Sequence, residues 1–85
     1  MEPRRFVYIL RSDADSDRHY VGLTSDVPRR MHWHNTGHSG VTVHRRPWSL
    51  VVSLEFADAT IAGRFERYLK SGSGRAFAKR HFGPT

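Results

Sequence analysis

There is no cysteine in this chain of 85 residues, so disulfides and thiolate metal sites are excluded and a reducing compartment suits it. Nor is there a long apolar run. Met1-Glu2-Pro3-Arg4-Arg5 is followed by only five apolar or aromatic residues before Arg11. That is too few for the apolar region of a signal peptide and far too few for a membrane span. The expectation is a cytoplasmic protein with no membrane contact. Acid is scarce too: eight Asp and Glu stand against fourteen Lys and Arg, for a formal net charge of +6 and a pI near 10.8. Such an excess favours a polyanion, with nucleic acid the first partner class, although solubility alone is an equal reason for surface charge. Length is also in short supply. One small domain of this size removes roughly 60 to 65% of its unfolded surface from water, which leaves little room for a deep cavity. Chemistry therefore belongs on a shallow surface, as suits a large or extended substrate.

Phe6-Val7-Tyr8-Ile9-Leu10 is β-branched and aromatic and is quickly closed by polar residues, which predicts a strand. Alternation puts Val7 and Ile9 on one face and Phe6, Tyr8 and Leu10 on the other. A turn over residues 13–18 leads to a returning strand around Tyr20-Val21-Gly22-Leu23. The spacing Asp13, Asp15, Asp17 imitates a calcium loop, but Arg18 stands where Gly is needed and Thr24 where Glu is needed, so a solvated turn is the better reading. Thr24-Ser25-Asp26 and Pro28 predict a helix from about Asp26 to Thr36, stopped at Gly37. Val27, Arg30, Met31 and His34 share one side of it, with Arg30 and His34 along the edge and Trp33 pointing elsewhere. Residues 38–46 read as a loop. The run from Pro47 to Phe56 is the strongest strand signal: Trp48, Leu50, Val52 and Leu54 share a face, and Val51 on the other predicts a central strand. Asp58 caps a second helix with Ile61, Phe65, Tyr68 and Leu69 as its stripe and Ala62, Glu66 and Lys70 beside it. Ser71-Gly72-Ser73-Gly74 reads as a helix break, followed by a short basic helix over residues 75–82 pinned by Phe77 and Phe82.

The pair Phe6-Val7-Tyr8 and Tyr20-Val21-Gly22, followed by Arg30, His34 and a later helical Glu66, resembles the GIY-YIG nuclease superfamily, in particular its small single-domain bacterial members. The segment from Glu66 to Phe77 also reads like those members, so the resemblance spans nearly the whole chain as a single GIY-YIG-like domain. Phe6 stands where the first signature triplet has glycine. The resemblance implies an α+β fold, a three-stranded antiparallel sheet flanked by helices, cutting phosphodiesters with one divalent metal, Mg²⁺ or Mn²⁺. By this implication Tyr8 and Tyr20 are the signature tyrosines, Gly22 the signature glycine, Arg30 the helix arginine and Glu66 the metal ligand, which makes DNA the expected partner ahead of RNA. The family's C-terminal Asn has no counterpart, since no Asn follows Asn35.

The residues carry a reading of their own. Phosphodiester hydrolysis needs an activated water and neutralisation of charge on the phosphoryl and departing oxygens. Tyr8 serves as a base only if a cation lowers a phenol pKa of about 10, a service within reach of Arg30 or of a metal on Glu66. The Arg30 fork also matches phosphate better than a Lys would. Each has a plainer reading: Tyr8 and Tyr20 as strand aromatics, and Glu66 with Lys70 as a helix pair contributing about 0.3 to 0.5 kcal/mol. His34 is open between a rim ligand of phosphate, an auxiliary catalytic proton donor and a solvated helix residue. Gly22 either relieves crowding or lets a phosphate approach. His32, His34, His38 and His44 do not make a zinc site, because neighbours two apart on a helix diverge and no facing ligands are evident. Arg29, Arg45, Arg46, Arg64, Arg67, Lys70, Arg75, Lys79 and Arg80 supply the backbone-binding surface, with Trp33 and Trp48 either stacking bases or filling the core. Three functions remain open: a metal-dependent endonuclease on structured, nicked or single-stranded DNA in repair or recombination, a non-catalytic DNA- or RNA-binding module on that scaffold, and a basic core domain with a protein partner.

Overall fold

The computed structural model describes residues 5–37, 40 and 42–83. Its elements run β1 (Arg5–Ser12), β2 (His19–Thr24), α1 (Val27–Asn35), a 3-10 turn (Val43–Arg45), β3 (Trp48–Phe56), α2 (Ala59–Leu69) and α3 (Gly72–Phe82). This is the expected α+β fold with one three-stranded antiparallel sheet. The loop expected over residues 38–46 contains the 3-10 turn, while His38 of the zinc set lies outside the described residues.

The strand order β2-β1-β3 corrects one expectation: β1 is central and β3 is an edge. Val7, Tyr8, Ile9 and Leu10 are all buried, whereas Leu50 is exposed and Val51 only half-buried. Val7 and Ile9 pack with Ala62 and Leu69, and with Phe65 and Phe77, so α2 and α3 cover that face. Tyr8 and Leu10 pack with Trp48, Tyr20 and Met31 under α1 on the other. Burying a side chain such as Leu69 or Ile9 contributes roughly 1.5 to 3 kcal/mol, so this two-sided strand is a main source of stability.

A bulge corrects the second expectation about β3. Ile9 pairs with Val52, but Leu10 pairs with Leu50, which leaves Val51 as an extra residue. Trp48 and Leu50 therefore share the face of Leu10 and Tyr8, while Val52 and Leu54 share that of Ile9 and Val7. Without the extra residue, Trp48 would fall on the side away from α1.

The helices start where their caps dictate. Asp26 accepts from the Arg29 amide at 3.0 Å, and α1 ends before Gly37, whose φ of 85° is the left-handed turn expected there. Asp58 accepts from the amides of Thr60 and Ile61. The inward stripe of α2 is nevertheless rotated from the expected one. Ala62 and Leu69 are buried, while Ile61 and Tyr68 are 47% and 39% exposed. The stripe is thus Ala62, Phe65, Glu66 and Leu69, which carries a carboxylate toward the interior. α2 does end before Ser71-Gly72-Ser73-Gly74, but these residues are already the cap and first turn of α3, with the Ser71 hydroxyl accepting from the Gly74 amide at 3.1 Å. Among the described residues no helix is long and apolar enough to cross a membrane.

Candidate active site

Tyr8 leaves the central strand toward α1, and its hydroxyl meets Nε2 of His34 at 2.9 Å. Nδ1 of His34 meets the Thr42 hydroxyl at 3.0 Å, and the Thr42 carbonyl accepts from the Trp48 indole at 2.8 Å. All four residues are buried. A phenol is a good donor and a poor acceptor because its lone pair is shared with the ring, so Tyr8 donates to Nε2 and His34 keeps its proton on Nδ1 for Thr42. Asn35 holds α1 to β3, accepting from the Trp48 amide at 2.7 Å and donating to its carbonyl at 3.1 Å. Half-buried Tyr20 places its ring edge-on to His34 at 4.8 Å and 6.3 Å from that of Tyr8. The result is a rigid column of hydrogen bonds behind one tyrosine that still reaches solvent.

His34 is thus not at the rim of its helix, as the periodicity suggests, but fully buried. Trp33 does not point elsewhere either: its ring lies against His34, and the Arg30 guanidinium sits 4.9 Å from its centroid. Thr42 and Asn35 escape the sequence reading. Their partners lie 6 to 13 residues away, and no local pattern marks a loop threonine or a helix-end asparagine for such duty.

Of the two readings open for Gly22, the structure favours relief of crowding. It sits opposite Tyr8 in the β1–β2 register, and a Cβ there would run into the Tyr8 hydroxyl and ring. The space beside it belongs to the phenol. Gly22→Ala is expected to cost about 1 to 3 kcal/mol and to push Tyr8 off His34. Thermal unfolding and the NMR shifts of the His34 ring would show this, and an unchanged His34 resonance would count against it.

Burial raises the Tyr8 pKa, and Tyr20 and Glu66 add to that effect while Arg30 opposes it. Burial wins, which corrects the expectation that Arg30 would bring this phenol into the range of a base. Burial also lowers the His34 pKa, with Arg30 adding to the effect, so the imidazole is neutral. The unfolded chain takes up a proton near 6.5 that folded His34 refuses until lower pH. Stability from this source is complete above that value and is lost as pH falls through it. Melting temperatures taken from about pH 8 down to about pH 5 are expected to fall less steeply in His34→Gln than in the parent. Equal slopes would refute the assignment.

Arg30 lines a shallow depression of about 370 Å³ with Thr24, Ser25, Asp26, Arg29 and Trp33. Glu66 sits on the helix covering the opposite sheet face, and its charge is the smallest of the influences on the Tyr8 pKa. Its side chain is only 17% exposed and meets Lys70 at 2.6 Å. Among the described residues no three His, Cys, Asp or Glu side chains gather as a metal cage. A lone carboxylate that already holds one cation fits Mg²⁺ or Mn²⁺ carried mostly by water and a substrate phosphate, and does not fit an all-protein site.

The basic residues are spread over several elements. Arg29 lies beside Arg30, while Lys70, Arg75 and Lys79 line a groove under α3. Arg64, Arg67 and Arg80 are exposed on α2 and α3. Arg45 is half-buried, and the Arg46 guanidinium donates to the Val43 carbonyl at 2.8 Å, which commits it to its own loop.

The model of the GIY-YIG catalytic domain matches residues 4–80. The chain belongs to the GIY-YIG family. This GIY-YIG domain is 32% identical to the UPF0213 protein BH0048 from Bacillus halodurans, whose solution NMR structure it resembles with a TM-score of 0.58 over 95% of this chain and 88% of that one. It is also 39% identical, over 71% of its length, to proteins named structure-specific endonuclease subunit SLX1 from Podospora anserina and Chaetomium globosum. The match spans 19% and 20% of those two proteins, so the GIY-YIG chain spans about a fifth of the length of these curated relatives.

Proposed function

We propose that the protein is a divalent-metal-dependent endonuclease hydrolysing phosphodiester bonds in DNA, with structured, nicked or single-stranded forms as substrates and repair or recombination as the setting. The observation that carries this reading is the buried Tyr8–His34–Thr42 column beside Tyr20 in a chain of the GIY-YIG family. The names of the two relatives, structure-specific endonuclease subunits, support the substrate class and a targeting partner for this chain as well.

Tyr8 accepts a proton from the attacking water as its own passes to Nε2 of His34, and Thr42 holds the imidazolium that forms. Tyr20 orients the water. Arg30 receives the phosphoryl oxygens in its planar fork. Glu66 would hold the cation, which supplies further neutralisation at the phosphate and at the departing oxygen. The burial that keeps Tyr8 protonated at rest is then an asset, because the proton has one neutral acceptor 2.9 Å away.

Labelled duplex, flap and junction DNAs incubated with Mg²⁺ or Mn²⁺ are expected to be cut, and excess chelator is expected to stop the cutting. A second reading has its own observation, the Lys70 ammonium already seated on Glu66. It predicts salt-sensitive binding without turnover in any metal. That result would replace the nuclease reading.

A further inference from the structure

On the sheet face away from Tyr8, a groove of about 660 Å³ runs between the β1–β2 turn and α3. Val21, Val51, Ala78 and Phe82 give it an apolar floor, and Arg18, Lys70, Arg75 and Lys79 stand around it with Asp17 as the one acid. Arg18 leans on Asp15 at 3.7 Å and Lys70 on Glu66 at 2.6 Å. Among the described residues the Arg75 and Lys79 side chains meet no carboxylate, and both are exposed. Two lining residues also touch residues of the candidate active site, Tyr20 meeting the His34 ring and Lys70 pairing with Glu66. The groove is therefore linked to the candidate active site through two side chains.

We propose that this groove holds an unpaired nucleic-acid strand next to the bond to be cut. The proposal rests on the reading of the protein as one that acts on nucleic acid, and it adds the feature of the substrate that the protein selects. A duplex shows the outside world phosphates and sugars with its bases stacked within, so an apolar floor would gain nothing from it. An unpaired strand offers both chemistries at once: bare base faces for Val51, Ala78 and Phe82, and a phosphate row for Arg75 and Lys79. The volume is in the range of a pocket that buries a compact organic ligand, which suits one or two bases. An acidic amphipathic peptide would match the same lining, but the two contacts with the candidate active site favour the strand that site would cut.

The test measures fluorescence anisotropy of a labelled oligo-dT of about twenty nucleotides and of a duplex of equal length. It uses metal-free buffer and Glu66→Gln protein, with and without Arg75→Ala and Lys79→Ala. Both alanine substitutions are at exposed positions, and a melting curve checks that the fold is kept. Removing two phosphate contacts is expected to make the salt dependence of single-strand affinity shallower by about 1.4 in log–log slope. Affinity for the oligo-dT is expected to fall about tenfold, against about threefold or less for the duplex. Equal losses for the two DNAs, or no loss, would overturn the proposal. So would an acidic amphipathic peptide whose binding vanishes in the same variant while oligo-dT binding persists, which would assign the groove to a protein. Because no cleavage is read, strand binding without nuclease activity sinks only the function proposed above. Cleavage with an indifferent groove sinks only this inference.

Discussion

Glu66→Gln and Arg30→Lys are each expected to lower metal-dependent cleavage by about a hundredfold or more, measured on the best-cut of the duplex, flap and junction DNAs. Glu66→Gln keeps the shape of the side chain and its place on the inward stripe of α2 but removes the charge that would hold a divalent cation. Its pair with Lys70 is a contact one helical turn apart, of a kind worth about 0.3 to 0.5 kcal/mol, and the Lys70 side chain, 54% exposed, can return to water, so the fold survives. Arg30→Lys keeps the charge and loses the fork. The two oxygens of a phosphate then find one compact ammonium instead of two parallel donors, and the stacking on Trp33 is lost as well. A melting temperature within a few degrees of the parent, together with lost cutting, is the expected pairing. Variants that cut like the parent would mean that the activity came from a contaminant.

Gly74→Ala is expected to cause the largest stability loss of any single methyl group in the chain. Gly74 is buried at the start of α3, where a Cβ would collide with the Tyr68 carbonyl and come within 2.6 Å of the Leu69 Cα. Every obstacle is backbone, so no rotamer change relieves it, and α2 and α3 must separate. Separation pulls Phe77 from Phe65 and loosens the packing around Leu69. A cost of about 3 kcal/mol corresponds to a melting temperature lower by about 12 to 24 °C for a domain of this size. Gly72→Ala is the control, since nothing lies within 4 Å of its Cβ position. It is expected to leave stability unchanged or to raise it by up to about 1 kcal/mol, because alanine is the better helix former. Equal melting temperatures for the two variants would remove the close helix approach from the account of the fold.

Local chemistry was legible wherever its cause was local. Asp26, Pro28 and Gly37 mark α1 through capping and a left-handed turn, and Asp58 marks α2, because each acts on amides within three residues. The faces of β1 follow from alternation alone, and Val7 and Ile9 do part from Tyr8 and Leu10. The β3 reading failed at one residue. Alternation assumes an unbroken pleat, and the extra Val51 turns Trp48 and Leu50 to the other side. The α2 stripe failed by a similar phase: Ile61 and Tyr68 are apolar enough to belong to it, but the sheet accepts Ala62 and Leu69. That choice also gives Glu66 its half-hidden place.

The amino-acid order by itself determined the element types, the caps, the basic balance and the family, since these depend on neighbours along the chain or on a signature written in it. Tertiary structure alone decided that β1 is central, that His34 is buried with Tyr8 and Thr42 on its two nitrogens, and that the crowding Gly22 relieves is that of the Tyr8 phenol. It also decided the protonation of the pair, Tyr8 held neutral and His34 kept from charging. The physical reason is the same throughout: desolvation and close packing are set by what stands opposite in space, and for Tyr8 that is a residue 26 positions away.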